Sequence, residues 1–402
     1  MNEQESRRNI SLYRLYTIFS EPLFWGPIII MSLQNLGHMS LPSIYYQESA
    51  VLCLCVVLDI PAGILADRIG RKKVLIIGRL FLFGSTLVLA LMNTPLEAWA
   101  ANVLWAFGFS LQSGSDMALL YDTLRSRGRQ SEFKRIEGGA VGMRFALMAV
   151  SSLATGLLAS IAPRLPIALS IPFILIPLTA ACFFKEPVRT EEHSVRQQTS
   201  ILKEGVRAIR RSVEVRWMIG FTALLATIGG LWFFSYNPYF ELVKLPVVWY
   251  GVVFFCLNVI AWISSHYAHR IEKRLGERAC IIGMVLCLGA PILAMGLLPI
   301  LPFAFLVLIQ NVVRGFTRPF VGDYLNRHIR SEVRATVLSM KSTFTNVISV
   351  FGLALFGFAI HKLGLADSLT TLGITSLLLG ALSYRSYAKR NRGTVKVQRF
   401  ES

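Results

Sequence analysis

The chain has 402 residues, of which 54% are apolar and only 16% charged, with a mean hydropathy of +0.54. A water-soluble protein of this size needs more charge to cover its surface, which excludes soluble enzymes, secreted disulfide scaffolds, disordered chains and collagen-like chains. The net charge of +18 points to the Lys and Arg enrichment of cytoplasmic loops in membrane proteins, with no nucleic-acid partner expected.

The first dozen residues are polar, and the apolar stretch after them is too long for a cleavable signal segment. Apolar runs separated by turns or charges predict spans at about 15–36, 41–65, 74–92, 96–122, 138–161 and 165–184, then 217–237, 246–268, 279–298, 302–325, 335–360 and 366–384. The expected fold is therefore an all-α integral membrane protein with twelve transmembrane helices. Residues 1–184 form a first six-helix bundle, 185–216 a cytoplasmic linker, 217–384 a second six-helix bundle and 385–402 a basic tail. In the linker, Ile201, Leu202, Val206, Ile209 and Val213 recur at helical spacing among Lys203, Arg207, Arg210 and Arg211. They predict an amphipathic helix on the membrane face. With both termini inside, thirty-three of the 41 Lys and Arg fall in cytoplasmic segments and three (Arg164, Lys244 and Lys362) fall outside. That bias fixes the topology. The six cysteines lie in or beside apolar runs and read as free thiols.

The two halves resemble each other at a spacing of about 200 residues. Asp122 after span four matches Asp323 after span ten, and Glu132 matches Glu332 with one gap. Gly70 and Arg68 after span two match Gly276 and Arg274 after span eight. The fold is thus expected to be two six-helix repeats, a known transporter design with its substrate site near mid-membrane.

The loop after span two reads G-I-L-A-D-R-I-G-R-K, from Gly63 to Lys72. It resembles the signature loop of the major facilitator superfamily, G-x-L-x-D-x-x-G-R-R/K, at every defined position. The segments N-V-V-R-G-F-T-R-P-F and R-A-T-V-L-S are similar to the drug-efflux-like branch of that family, whereas the family's antiporter motif is absent from span five. The resemblance implies a secondary transporter working by alternating access, as a monomer in the cytoplasmic membrane. It also implies a cytoplasmic gate. Asp67 would face the N-terminus of span eleven, where helix N–H groups favour an anion. Arg71 would pair with an acid at the end of span four, for which Asp122 is the candidate, and Arg68 completes the basic part of the motif. Gly63 and Gly70 would permit close helix approach and a tight turn.

Ionisable residues inside spans are costly and usually functional. The candidates are Glu21, Asp59, Arg79, Asp116, Arg144, Arg314, Arg318 and Lys341. Asp116 and Arg144 fall about 13 and 10 Å from the cytoplasmic edge at the helical rise, which predicts an ion pair. Glu21 and Asp116 are candidates for carrying a coupling proton, Arg314 for holding an anionic group, and Lys341 either for that or for reaching back to the cytoplasm. Trp25 and Trp232, in the equivalent spans one and seven, are candidates for stacking on a flat or cationic ligand or for anchoring at the interface. No cofactor or metal is expected: His266 and His269 lack a third ligand, and no phosphate-binding loop suggests ATP drive. No catalytic motif suggests an enzyme. The leading expectation is proton-coupled efflux of a small drug-like molecule or metabolite. The alternative, supported by Arg144, Arg314 and Lys341, is movement of an anionic metabolite or siderophore.

Overall fold

The structure, a computed structural model, describes residues 1–187, 204, 206–329 and 331–400. Among them every regular element is helical. Of the expected linker helix, residues 201–203 and 205 lie outside the described residues, and 206–211 is helical. Inter-residue contacts divide the chain into two units, Met1–Glu192 with Pro246–Phe255, and His193–Leu245 with Cys256–Ser402.

The first unit holds α1 (Glu3–Ile18), α2 (Ile29–Asn35), α3 (Leu41–Ile69), α4 (Arg71–Leu91), α5 (Pro95–Gln112), α6 (Ser115–Arg125), α7 (Phe133–Ile161) and α8 (Leu165–Phe183). Local chemistry starts them: Asn2 with Glu5 and Thr94 with Glu97 form capping boxes for α1 and α5, and Ser40 caps α3. α4 packs along α5 and α8, α1 lies on α7 and α8, and α3 lies on α5. The second unit holds α9 (Val213–Leu242), α11 (Val307–His328), α12 (Ser331–Leu363), α13 (Leu365–Phe400) and most of α10 (Val248–Leu297). α9 packs against α11, α12 and α13.

Eight of these helices are long and apolar enough to cross a membrane. One of them, the 50-residue α10, is interrupted at Gly276, where φ is 78°, and supplies two spans. The broken pairs α1/α2 and α5/α6, together with the charged α11, complete twelve. One expectation is corrected: spans one and four are not continuous helices. The helix that leads into span one starts at Glu3, because the capping box nucleates it and Ile10, Tyr13 and Tyr16 bury one face against Leu75, Leu120, Ile136 and Phe184. At the other end of the chain α13 runs on to Phe400.

Candidate functional site

In the first unit the two helix breaks line one cavity of about 220 Å³. α1 ends at Ile18, and Ser20, Glu21 and Pro22 are non-helical. Pro22 has no N–H to donate and disfavours the helical conformation at Glu21. The second break follows Gln112: Gly114 sits at φ 76°, and α6 restarts at Ser115 with Asp116 in its first turn. Backbone this deep must find polar partners inside the protein or in a wet cavity. It does so through α4. Arg79, 1% exposed, donates from Nη1 to the Ser20 carbonyl at 2.9 Å. Its guanidinium lies 4.3 Å from the ring centre of Tyr16, whose hydroxyl donates to Gln112 at 2.9 Å. One arginine thereby braces both breaks.

Arg144 on α7 completes the cluster. Its Nη1 donates to the Ser20 hydroxyl at 3.1 Å and lies 3.6 Å from the Glu21 carboxylate. The ion pair expected between Asp116 and Arg144 is thus made by Glu21 instead, because the break in α1 swings Glu21 toward α7. Asp116 lies half-buried in the field of Arg79 and Arg144. Trp25 borders the same cavity. Several donors in this wall have no partner: Nε and Nη2 of Arg79, Nε of Arg144 and Nε1 of Trp25. Buried donors are rarely left unsatisfied, so this wall is equipped for an acceptor.

A larger cavity of about 720 Å³ lies in the second unit. α9 contributes Gly229, Gly230, Trp232, Phe233 and Tyr236; α11 contributes Gln310, Asn311, Arg314, Thr317 and Arg318; α12 contributes Lys341. The α11 residues fall at the three-to-four spacing of a single helix face. Tyr236 stands edge-on to Trp232, with ring centres 5.3 Å apart, and its hydroxyl accepts from the Asn311 amide at 3.0 Å. Arg314 and Trp232 therefore share one cavity, while Glu21, Asp116, Arg144 and Trp25 share the other.

At the loop between α3 and α4, Arg71 forms an ion pair with Asp122 of α6, within the first unit. Gly70 takes φ 102°, and a side chain there would meet the Glu186 carboxylate at 3.3 Å. That carboxylate accepts from the backbone N–H groups of Arg71 at 2.8 Å and Lys72 at 2.7 Å. Glu186 is an N-terminal cap for α4 supplied from after span six. Gly63 makes no close approach, with nothing within 4 Å of where its side chain would stand. Asp67 and Arg68 are exposed at the end of α3. In the second unit Arg327 occupies a comparable junction, 2.9 Å from Glu272 and 2.7 Å from Asp323. Burial would lower its pKa, but the hydrogen bond to Glu272 and the surrounding carboxylates outweigh burial and raise it.

Sequence reading marked Arg79 only as one intramembrane charge among several and passed over Ser20, Gln310 and Asn311. The E-P at 21–22 and S-G at 113–114 are the local signals for the breaks. Gln310-Asn311, one turn before Arg314, is the signal for a polar wall.

The sequence profile of the Major Facilitator Superfamily matches residues 17–353. The chain is 25% identical over 377 residues, 89% of each chain, to Multidrug resistance protein 2 of Bacillus subtilis (strain 168). It is 22% identical over 362 residues, 85% of this chain and 86% of the other, to the MFS-type transporter YxaM of the same organism. Among solved structures, a mutant of the nucleoside transporter NupG superposes with a TM-score of 0.76 at 12% identity, covering 96% of this chain and 99% of that one.

Proposed function

The chain belongs to the major facilitator superfamily and is a secondary transporter; from that premise, we propose that it is a proton-coupled carrier of a small organic molecule, working by alternating access. The observation that carries the coupling is the meeting of two carboxylates, Glu21 and Asp116, with two guanidiniums, Arg79 and Arg144, at two helix breaks around one cavity. Each such charge costs about 2.5–3.5 kcal/mol at the bilayer centre, even on the lenient insertion scale. Four together are sustained by mutual compensation and access to water. A proton on Glu21 removes its attraction for Arg144, which leaves two guanidiniums to one carboxylate beside the broken segment. Proton and substrate then compete for one charge balance, which is the requirement for coupling.

The resemblance to Multidrug resistance protein 2 supports export as the direction. The second reading, movement of an anionic metabolite, is supported by the cationic cavity of the second unit. The distribution of Lys and Arg supports the cytoplasmic membrane with both termini inside, and a monomer is the working state. We take Asp67, Arg68, Gly70, Arg71 and Asp122 as the cytoplasmic gate, with the Arg71–Asp122 pair as its lock.

The test is proton release from everted vesicles energised to an acid interior, with lipophilic cations and organic anions added in turn. Substrate addition should dissipate the gradient with wild type. Glu21→Gln and Asp116→Asn should each abolish that response while folding normally by size-exclusion chromatography. Unchanged proton release in both variants overturns the coupling role.

A further inference from the structure

The cavity of the second unit carries three basic side chains, Arg314, Arg318 and Lys341, and among the described residues no carboxylate lines it. Among the described residues none of the three makes an ion pair. The charges of Arg318 and Lys341 act on each other. Bringing like charges together inside a membrane protein is unfavourable unless an anion joins them. Arg314 stands seven residues after the start of α11 and fourteen before its end, about 10 and 21 Å at the helical rise, which argues against an interface charge. Lys341 stands five residues, about 7 Å, into the apolar stretch that begins at Thr336.

Two further groups in the same wall are equipped for a ligand. Gln310 is 3% exposed, and both its amide oxygen and its amide nitrogen lack partners. Trp232 is 1% exposed, and its indole N–H lacks a partner. The flanking surface is aromatic, from Trp232, Phe233 and Tyr236 set edge to face, with Gly229 and Gly230 leaving the helix backbone uncovered. Such a wall takes a ring, and its volume admits one or two fused rings with substituents.

We propose that this cavity binds a planar organic anion, with its acidic group between Arg314 and Lys341 and its ring against Trp232 and Tyr236. This rests on the transporter reading above and names the substrate class for it. Arg318 adds to the field that draws the anion in, and Gln310 supplies one donor and one acceptor to a substituent on the ring. A lipophilic cation, by contrast, would face three like charges without one compensating acid.

The experiment is isothermal titration calorimetry on the full-length protein in detergent, with no gradient present. The probes are 2-naphthoate, 2-naphthamide and 2-(aminomethyl)naphthalene, which share a ring and differ in charge, with benzoate, benzamide and benzylamine as the smaller set. The carboxylates should bind at least about tenfold more tightly than the amides, and the amines should not bind. Arg314→Gln and Lys341→Gln should each weaken carboxylate binding by about tenfold or more, and Arg314→Lys should recover part of it. Melting temperatures near wild type exclude misfolding as the cause. Amines or amides binding as well as the carboxylates overturns the proposal, as does carboxylate affinity that ignores both Gln variants or no carboxylate binding at all. Flux into proteoliposomes separates the two readings. Naphthoate that binds but is not carried leaves this site standing and overturns transport of that class. A carrier that moves other compounds but binds no carboxylate overturns this site alone.

Discussion

Three glycines differ in what they do, and their substitutions should rank accordingly. Gly114 sits at φ 76° with open space where a side chain would stand, so Gly114→Ala should cost only the left-handed strain, about 1–2 kcal/mol. Gly70 combines φ 102° with the Glu186 carboxylate at 3.3 Å, so Gly70→Ala should cost more, losing part of the α4 cap as well. Gly63 lies inside α3 with nothing within 4 Å, so Gly63→Ala should stabilise by about 0.5–1 kcal/mol. Thermal unfolding in detergent, ordered Gly63→Ala above wild type above Gly114→Ala above Gly70→Ala, checks all three. The signature loop made Gly63 and Gly70 look alike. Only the backbone angles tell them apart, because a motif records residue types and not conformations. Arg79 illustrates the same limit. Its presence in an apolar run was legible, but its partner is a main-chain carbonyl, and no side-chain pattern announces one.

The N-terminal end of α4 is held by two charged side chains from elsewhere in the chain. Glu186→Ala removes the acceptor for two backbone N–H groups and should cost about 1–2 kcal/mol. The ion pair of Arg71 with Asp122 is 21% exposed on each side. In a double-mutant cycle with Arg71→Gln and Asp122→Asn its coupling should be about 0.5–1 kcal/mol. A coupling near zero, with transport lost in either single variant, would assign the pair to gating alone. α1 offers a pH test. A hydrogen bond from Lys185, then one from the Asn2 backbone, holds the Glu5 carboxyl below its usual range. A lowered folded-state value stabilises above the unfolded value and fades as pH falls through the folded one. The drop in melting temperature on acidification from neutral pH to pH ~3 should therefore be smaller in Lys185→Gln than in wild type. Helix existence was legible from periodicity, and the loops from their charges. The breaks in spans one and four were not, because Glu21-Pro22 and Ser113-Gly114 interrupt runs whose overall apolarity still reads as a span.

At the scale of the molecule, the internal repeat was the most informative part of the sequence. The matched pair Gly70 and Gly276 both take positive φ, 102° and 78°, at junctions between consecutive spans. The matched acids Asp122 and Asp323 both meet an arginine there, Arg71 in one unit and Arg327 in the other. The repeat does not extend to the cavities. One balances two acids with two bases and the other carries bases alone, so the duplication kept the frame while the chemistry of each half diverged. Depth counting placed Asp116 and Arg144 about 13 and 10 Å inside the membrane. It could not sort the charges into two groups, since that depends on which way each helix face turns.

The helices that bear these charges also bear on how the chain enters the bilayer. The α1/α2 pair, the α5/α6 pair and α11 are the three segments outside the set of long apolar helices. They carry Glu21, Asp116, Arg314 and Arg318. A segment leaves the translocon for lipid according to its summed hydrophobicity, and each central Asp, Lys or Arg works against that step by about 2.5–3.5 kcal/mol. These three spans should therefore be retained until apolar neighbours such as α4, α8 and α9 have emerged to shelter them. Isolated from those neighbours in an insertion assay, they should partition poorly, and these charged segments would be the last part to settle into the membrane.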